Sequence, residues 1–198
     1  MADKKERFME IIKADLKSRG QKISVVRFVI DPITRFHWYL RATEHLSGNK
    51  ALKPIFFFTK YFFLSLSRNL GFSIPINTLG KGIYIPHYGS IVVNSKAYVG
   101  EYSILNVGVC IGRHPGDKNL VPTIGKCVFL APGVKVFGKV NIGDGCLLGA
   151  NAVVTKDIPA YKLAVGVPAK VIDDVTAETL RVYGLTDISG DVINKNSK

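Results

Sequence analysis

Apolar residues follow two different periods along this chain, and the change falls near residue 70. Before it, Phe8, Ile11, Ile12 and Leu16 recur at helical spacing, one face of a helix that Gly20 stops. Asp31-Pro32 opens a second helix, because Asp caps helix N-termini well and Pro suits the first helical position. That helix is predicted to run through Phe36, Tyr39 and Leu40 to about Leu46, ahead of Ser47-Gly48. A third is predicted from Pro54 to about Asn69. It is apolar on nearly all sides, so the second half of the chain, another subunit or a membrane surface must cover it. Its greasiest stretch, Ile55 to Leu64, is interrupted by Lys60 and falls short of the ~20 apolar residues that span a bilayer.

From residue 79 an aliphatic residue recurs every six positions: Val93, Val99, Leu105 and Ile111, then Ile124, Leu130, Val136, Ile142, Leu148 and Val154. A small residue often comes next, as in Val99-Gly100, Ile124-Gly125 and Leu148-Gly149. Six matches neither the helical period nor strand alternation. It is one short strand plus a corner, three of which close a triangular coil with the aliphatic anchors stacked inward. This hexapeptide signature predicts a mainly β protein, a left-handed parallel β-helix preceded by a small α-helical N-terminal region. The expected division is residues 1–70, 71–172 and a short helix with a tail over 173–198, the helix running from Thr176 to about Tyr183 and the tail ending in a frayed Asn194–Lys198. The period breaks twice. Leu79, Ile85 and Ile91 keep step, but the next run starts at Val93, a two-residue slip just after His87. Thirteen residues separate Ile111 from Ile124, and the excess lies in the polar, turn-rich Arg113–Pro122, which should leave the coil as an excursion.

Charge adds a second asymmetry. Of a formal net charge of +12, residues 1–70 carry fourteen basic against six acidic side chains, a net of +8. A basic front end suggests a polyanionic partner such as an anionic membrane surface, nucleic acid or an acidic glycan. No basic helix or aromatic-interleaved motif of the nucleic-acid readers appears, so no nucleic-acid partner is expected. Cys110, Cys127 and Cys146 are odd in number, widely spaced and set in apolar runs, which points to buried thiols rather than disulfides or a metal site. The charged opening, Met1-Ala2-Asp3-Lys4-Lys5-Glu6-Arg7, reads as a cytoplasmic chain, with peripheral contact to the inner membrane allowed by the basic, greasy front.

The segment Ile85-Pro86-His87-Tyr88-Gly89-Ser90-Ile91-Val92-Val93 resembles the histidine-containing catalytic coil of the hexapeptide acyltransferases, in particular their serine acetyltransferase-like branch. Gly149–Pro159 and Val165–Ile172 resemble that branch's closing coils. The resemblance covers roughly half the chain. It implies acetyl-CoA as donor, no metal, and a homotrimer in whose inter-subunit grooves the coenzyme lies. It also implies Ala131, Gly133, Gly149, Ala150 and Gly166 as close-approach positions, with Lys156 and Lys170 near the phosphates. The two lysines are equally well read as solvated corner residues. Acetyl transfer needs a base for the acceptor hydroxyl, donors for the oxyanion and a held thioester. Imidazole suits the base role. His37 and His45 lie on the second helix and read as packed or solvated side chains; His114 sits in the excursion, where it either lines an acceptor pocket or is solvated. His87 lies at the slip, and the resemblance selects it as the base. A cysteine nucleophile is disfavoured, since no cysteine sits in an activating context.

The acceptor is less clear from the residues. The serine enzymes carry an acidic residue directly before the histidine, where this chain has Pro86. Their Arg-His pair closes the excursion, whereas Arg113-His114 opens it here. These departures, with the basic, greasy front, point to a sugar or cell-surface polysaccharide precursor as acceptor, in the character of capsule O-acetyltransferases. L-Serine stays open as the alternative, and a non-catalytic hexapeptide scaffold as the alternative of another class. Arg113 and His114 complete the expected site, with Asp31 as an acceptor-binding candidate that the resemblance implies, since an Asp-Pro precedes a helix in the related enzymes too, although N-capping explains it more simply.

Overall fold

The structure, a computed structural model, describes residues 2–185. The expected frayed end, Asn194–Lys198, lies outside the described residues. Helices α1 (Ala2–Ser18), α2 (Val25–Ile30), α3 (Pro32–Leu46) and α4 (Lys53–Leu70) come first, and thirteen short strands follow, with α5 (Ala177–Val182) after them. Asp31 caps α3, its Oδ1 accepting the N–H groups of Ile33 and Thr34 at 3.0 and 3.3 Å, and Pro32 takes the first helical position. Gly71 ends α4 in the left-handed conformation, with φ at 78°. Helix α2 is the one N-terminal helix the periodicity did not announce: its six residues are too few to show a stripe.

The strands form a parallel β-helix with three faces. The first face stacks β1 (Phe72–Ser73), β2 (Ile91–Val93), β5 (Cys110–Gly112), β8 (Lys135–Phe137) and β11 (Val153–Val154). The second stacks β3 (Tyr98–Val99), β6 (Thr123–Ile124) and β9 (Asn141–Ile142). The third stacks β4 (Ile104–Leu105), β7 (Phe129–Leu130), β10 (Leu147–Leu148) and β12 (Lys162–Val165), on which β13 (Lys170–Asp174) folds back antiparallel. All ten hexad anchors are buried, none more than 3% exposed. They stack on one another in register: Val93 on Ile111, Ile111 on Val136, Val136 on Val154. The same holds for Val99, Ile124 and Ile142, and for Leu105, Leu130 and Leu148. Strand β13 runs through Asp174, two residues past the expected boundary at 172. Helix α5 sits where a short helix was expected, capped by Thr176, and with Val175 and Leu185 covers the outer side of the third face at Ile104 and Leu147.

The helices close the first coil, and their cores are continuous with it. Phe36 meets Phe63 and Phe72 at centroid distances of 5.7 and 5.0 Å. Between the two parts lies a buried ionic cluster. Arg41 Nε donates to Asp15 Oδ2 at 2.8 Å, and its Nη atoms donate to the carbonyls of Leu79 at 2.9 Å and Gly80 at 2.5 Å. Asp15 Oδ1 in turn accepts the Gly82 N–H at 2.6 Å. Burial raises the Asp15 carboxyl, but Arg41 and His37 outweigh it and hold the group below its ordinary value. Among the described residues, α4 is covered on one face, through Thr59, Phe63, Ser67 and Leu70, and is exposed on the opposite one.

Candidate active site

The slip at His87 has a clear structural origin. In the later coils, six residues lead from the third-face anchor to the first-face anchor, as from Leu105 to Ile111. In the first coil Tyr84 bridges Ile104, so Ile85 is the equivalent anchor, and eight residues lead from it to Val93. The two extra residues make this corner bulge, and His87 and Tyr88 stand exposed on it. The bulge is fastened at its base. Gly89 N–H donates to Leu70 O at 2.8 Å, Ile91 N–H to Gly71 O at 3.1 Å, and Gly108 N–H to Ser90 O at 2.7 Å. Gly89 is required there: its φ is 136°, and a Cβ would lie 2.5 Å from Val107 Cγ2. Gly89→Ala is expected to displace the bulge and cost about 1–2 kcal/mol, read as a lowered urea midpoint together with reduced turnover.

The same corner recurs in each coil above, so the third-to-first-face edge forms a column. Gly133 N–H donates to Val107 O at 2.9 Å, and Asn151 N–H to Pro132 O at 2.9 Å. The column holds Ala131, Gly133, Gly149, Ala150 and Gly166, five of the seven predicted coenzyme positions, on the edge that His87 begins. Ala150 and Gly166 are exposed and Gly133 and Gly149 half-buried, whereas Ala131 is buried and offers backbone alone. At Gly133 φ is 79°, and a Cβ would fall 2.0 Å from Asn151 Oδ1, so a side chain there is strained and needs Asn151 to move. Lys170 starts β13 just past the Gly166 turn and is exposed.

The remaining predicted residues are elsewhere. Arg113 and His114 follow β5 and Lys156 follows β11, so both lie on the edge between the first and second faces. Strands of two or three residues separate that edge from the His87 edge, about 10 Å before the corners are added. Within one chain His87 and the Arg113-His114 pair are therefore not brought together. The excursion itself is ordered: His114 N–H donates to Leu120 O at 2.8 Å, and Lys96 Nζ reaches Asn119 Oδ1 at 2.7 Å. His114 Nδ1 accepts the Gly116 N–H at 3.1 Å, which in the neutral ring places the proton on Nε2. Both side chains are exposed.

Asp31 departs from the acceptor-binding expectation. Besides capping α3, it accepts from Arg19 Nη2 at 2.6 Å and Thr34 Oγ1 at 2.8 Å through Oδ2. Burial raises its carboxyl, but Thr34 and Arg19 outweigh this and leave it below the ordinary value. With both oxygens engaged, it is a structural cap. His37 is buried with Nδ1 3.5 Å from Asp15 Oδ2, and His45 lies 5.2 Å from the Phe8 ring, so both are packed rather than solvated. The Arg41–Asp15 cluster was missed, although Asp15 stands between Ile12 and Leu16 on the apolar stripe of α1. Cys127 and Cys146 are buried and Cys110 half-buried; burial pushes the Cys146 thiol up, away from the nucleophilic thiolate. Among the described residues no group of His, Cys, Asp and Glu is arranged to hold a metal. A cavity of about 550 Å³ lies between α1, α3 and the first coils, lined by Phe8, Glu44, His45 and Tyr98, and includes none of the site residues. The His87 edge is instead an open surface.

No family model matches the chain. It is 36% identical to a serine acetyltransferase of Synechococcus elongatus over 101 residues, half of this chain but 41% of that enzyme. To the serine acetyltransferase of Bacillus pumilus it is 26% identical over 170 residues, 83% of this chain and 77% of that one. Among solved structures, soybean serine acetyltransferase superposes with a TM-score of 0.69 at 22% identity, covering 83% of this chain and 69% of that one. The serine acetyltransferase of Brucella abortus gives 0.67 at 22% identity, covering 86% and 70%. The fold is shared with these structures. All four proteins are serine acetyltransferases, and the expected polysaccharide character finds no support in them.

Proposed function

We propose that the chain is an acetyl-CoA-dependent O-acetyltransferase in which His87 is the general base and L-serine the acceptor. The observation that carries the reading is the two-residue bulge that lifts His87 out of the coil, on the edge where the small-residue column begins. The likeness to serine acetyltransferases, one of them solved with CoA and another with serine, supports both donor and acceptor. A neutral His87 nitrogen takes the proton of the acceptor hydroxyl as its oxygen attacks the thioester carbonyl carbon. The tetrahedral oxyanion collapses with cleavage of the C–S bond, and the imidazolium returns the proton to the departing thiolate. No acyl-enzyme is formed, in keeping with the unreactive setting of Cys146. The pantetheine arm follows the column of Gly133, Gly149, Ala150 and Gly166, with Lys170 beside its phosphate end. Because Arg113, His114 and Lys156 lie on the other edge, a neighbouring copy in a homotrimer supplies them to the groove.

A sugar hydroxyl is the second reading, favoured by Pro86 in place of the acidic residue and by the Arg113-His114 pair opening the excursion. Thiol release from acetyl-CoA, measured with L-serine and with a panel of mono- and oligosaccharides, separates the two. Release with serine is the expected result. Release with a sugar alone would keep the acetyltransferase and replace its acceptor. Failure to bind coenzyme A in calorimetry, with no release on any acceptor, would overturn the enzyme reading in favour of a scaffold.

A further inference from the structure

The N-terminal helices expose an apolar face with a cationic border. On α4, Phe57, Phe58 and Tyr61 are 63, 60 and 64% exposed, and with Leu64 they fall at i, i+1, i+4 and i+7, one stripe along the helix. On α2, Val25, Val26, Val29 and Ile30 are all exposed, Val25 by 80%. A ladder of rings joins the two helices. Phe28 lies 6.0 Å from Tyr39, Tyr39 stacks on Phe62 at 5.3 Å, and Phe62 meets Phe58 at 4.8 Å. The two stripes thus rest on one shared aromatic layer.

Lys53 and Lys60 stand seven residues apart along one border of the α4 stripe, Arg68 near its end, and Lys22 and Arg27 beside α2; all five are exposed. No ion pair engages any of them among the described residues. Residues 17–70 contain ten basic side chains and two acidic ones, Asp31 and Glu44, which already pair with Arg19 and Arg41. A two-fold contact between copies would set this uncompensated cationic border against itself. An anionic lipid surface answers both features at once: it neutralises the border and takes up the aromatic and aliphatic stripe at headgroup depth. Among the described residues no helix is long and apolar enough to cross a membrane.

We propose that α2 and α4 form a docking face for an anionic bilayer. The face is coupled to the site: α4 ends at Leu70-Gly71, whose carbonyls accept the N–H groups of Gly89 and Ile91 in the His87 bulge. Docking thus sets the orientation of the catalytic edge relative to the lipid. The inference is independent of which hydroxyl is acetylated.

Vesicle flotation tests it, with phosphatidylcholine alone against equal parts phosphatidylcholine and phosphatidylglycerol. The full chain is expected to float with the mixed vesicles, to be released by high salt, and to bind phosphatidylcholine alone far more weakly. Lys53→Glu with Lys60→Glu is expected to weaken flotation at least ~10-fold. Phe58→Ser and Val29→Ser, on the two helices, should each weaken it by about 10-fold through lost apolar burial. Unchanged far-UV circular dichroism keeps the loss from being a folding defect. Absence of flotation, equal flotation on neutral lipid, or indifference to all these variants overturns the proposal. So does sedimentation showing that the same variants dissociate an oligomer while the wild type ignores vesicles, which would assign the face to a second copy.

Discussion

His87→Ala is expected to lower turnover with acetyl-CoA by roughly 10²–10⁴-fold, the contribution of a positioned general base. The residue is exposed on its corner, and no packing contact of the core depends on it, so the loss should come without a change in the urea midpoint. Coenzyme A affinity in calorimetry should also hold, because the close-approach positions belong to the coils above. That pattern, turnover lost with folding and donor binding retained, is what separates a base from a structural histidine. A loss smaller than tenfold would move the base elsewhere, with His114 as the next imidazole to test. His114→Ala carries a different expectation: under the proposed acceptor-side role in a trimer, it should raise the KM for acceptor more than it lowers kcat.

The β-helix was legible because its physics repeats. Ten aliphatic anchors at a spacing of six cannot be buried by a helix or a flat sheet, and every one of them is in the core. The slip after Ile91 was legible for the same reason: a broken period in a stacked coil must be accommodated outside it, and His87 is where it is accommodated. Even the separation of His87 from Arg113 is encoded in the count, since His87 follows a third-face anchor and Arg113 a first-face one. What periodicity does not encode is which partner an isolated buried charge will find. Asp15 sits on the apolar stripe of α1 as though misplaced, and only the arrival of Arg41 from α3 and the Gly82 N–H from the first coil explains it. Asp31 is the converse case. Its Asp-Pro sequence signals a cap, and the structure shows that cap together with an ion pair to Arg19.

Removing one member of the Asp15–Arg41 pair is expected to be among the most destabilising single changes in the molecule. Both side chains are buried, 2–3% exposed, so Arg41→Ala leaves the Asp15 carboxylate without its charge partner and the carbonyls of Leu79 and Gly80 without donors. Breaking a buried pair this way costs about 3–5 kcal/mol. A double Asp15→Leu, Arg41→Met variant removes both charges, yet it still orphans the two carbonyls and the Gly82 N–H, so recovery should be partial rather than complete. Full recovery would show that the backbone groups find other partners. The pair also makes stability depend on pH. The Asp15 carboxyl is held below its unfolded value of 3.8, so its contribution is complete above that value and is lost as pH falls through the folded pKa. Arg41 stays charged throughout: burial lowers it, but Asp15 and Glu44 outweigh burial and leave it raised. Urea midpoints followed from neutral pH down to about pH 3 should therefore drop on the acid side in the wild type. Asp15→Asn gives up the charge and keeps a single acceptor oxygen, so its NH2 group faces one of the two donors, Arg41 Nε or the Gly82 N–H. It should start from a lower midpoint and show a shallower acid slope, the residual slope coming from Asp31, which is depressed in the same direction. An unchanged slope would mean that the ion pair joining the helices to the first coil is not what acid breaks.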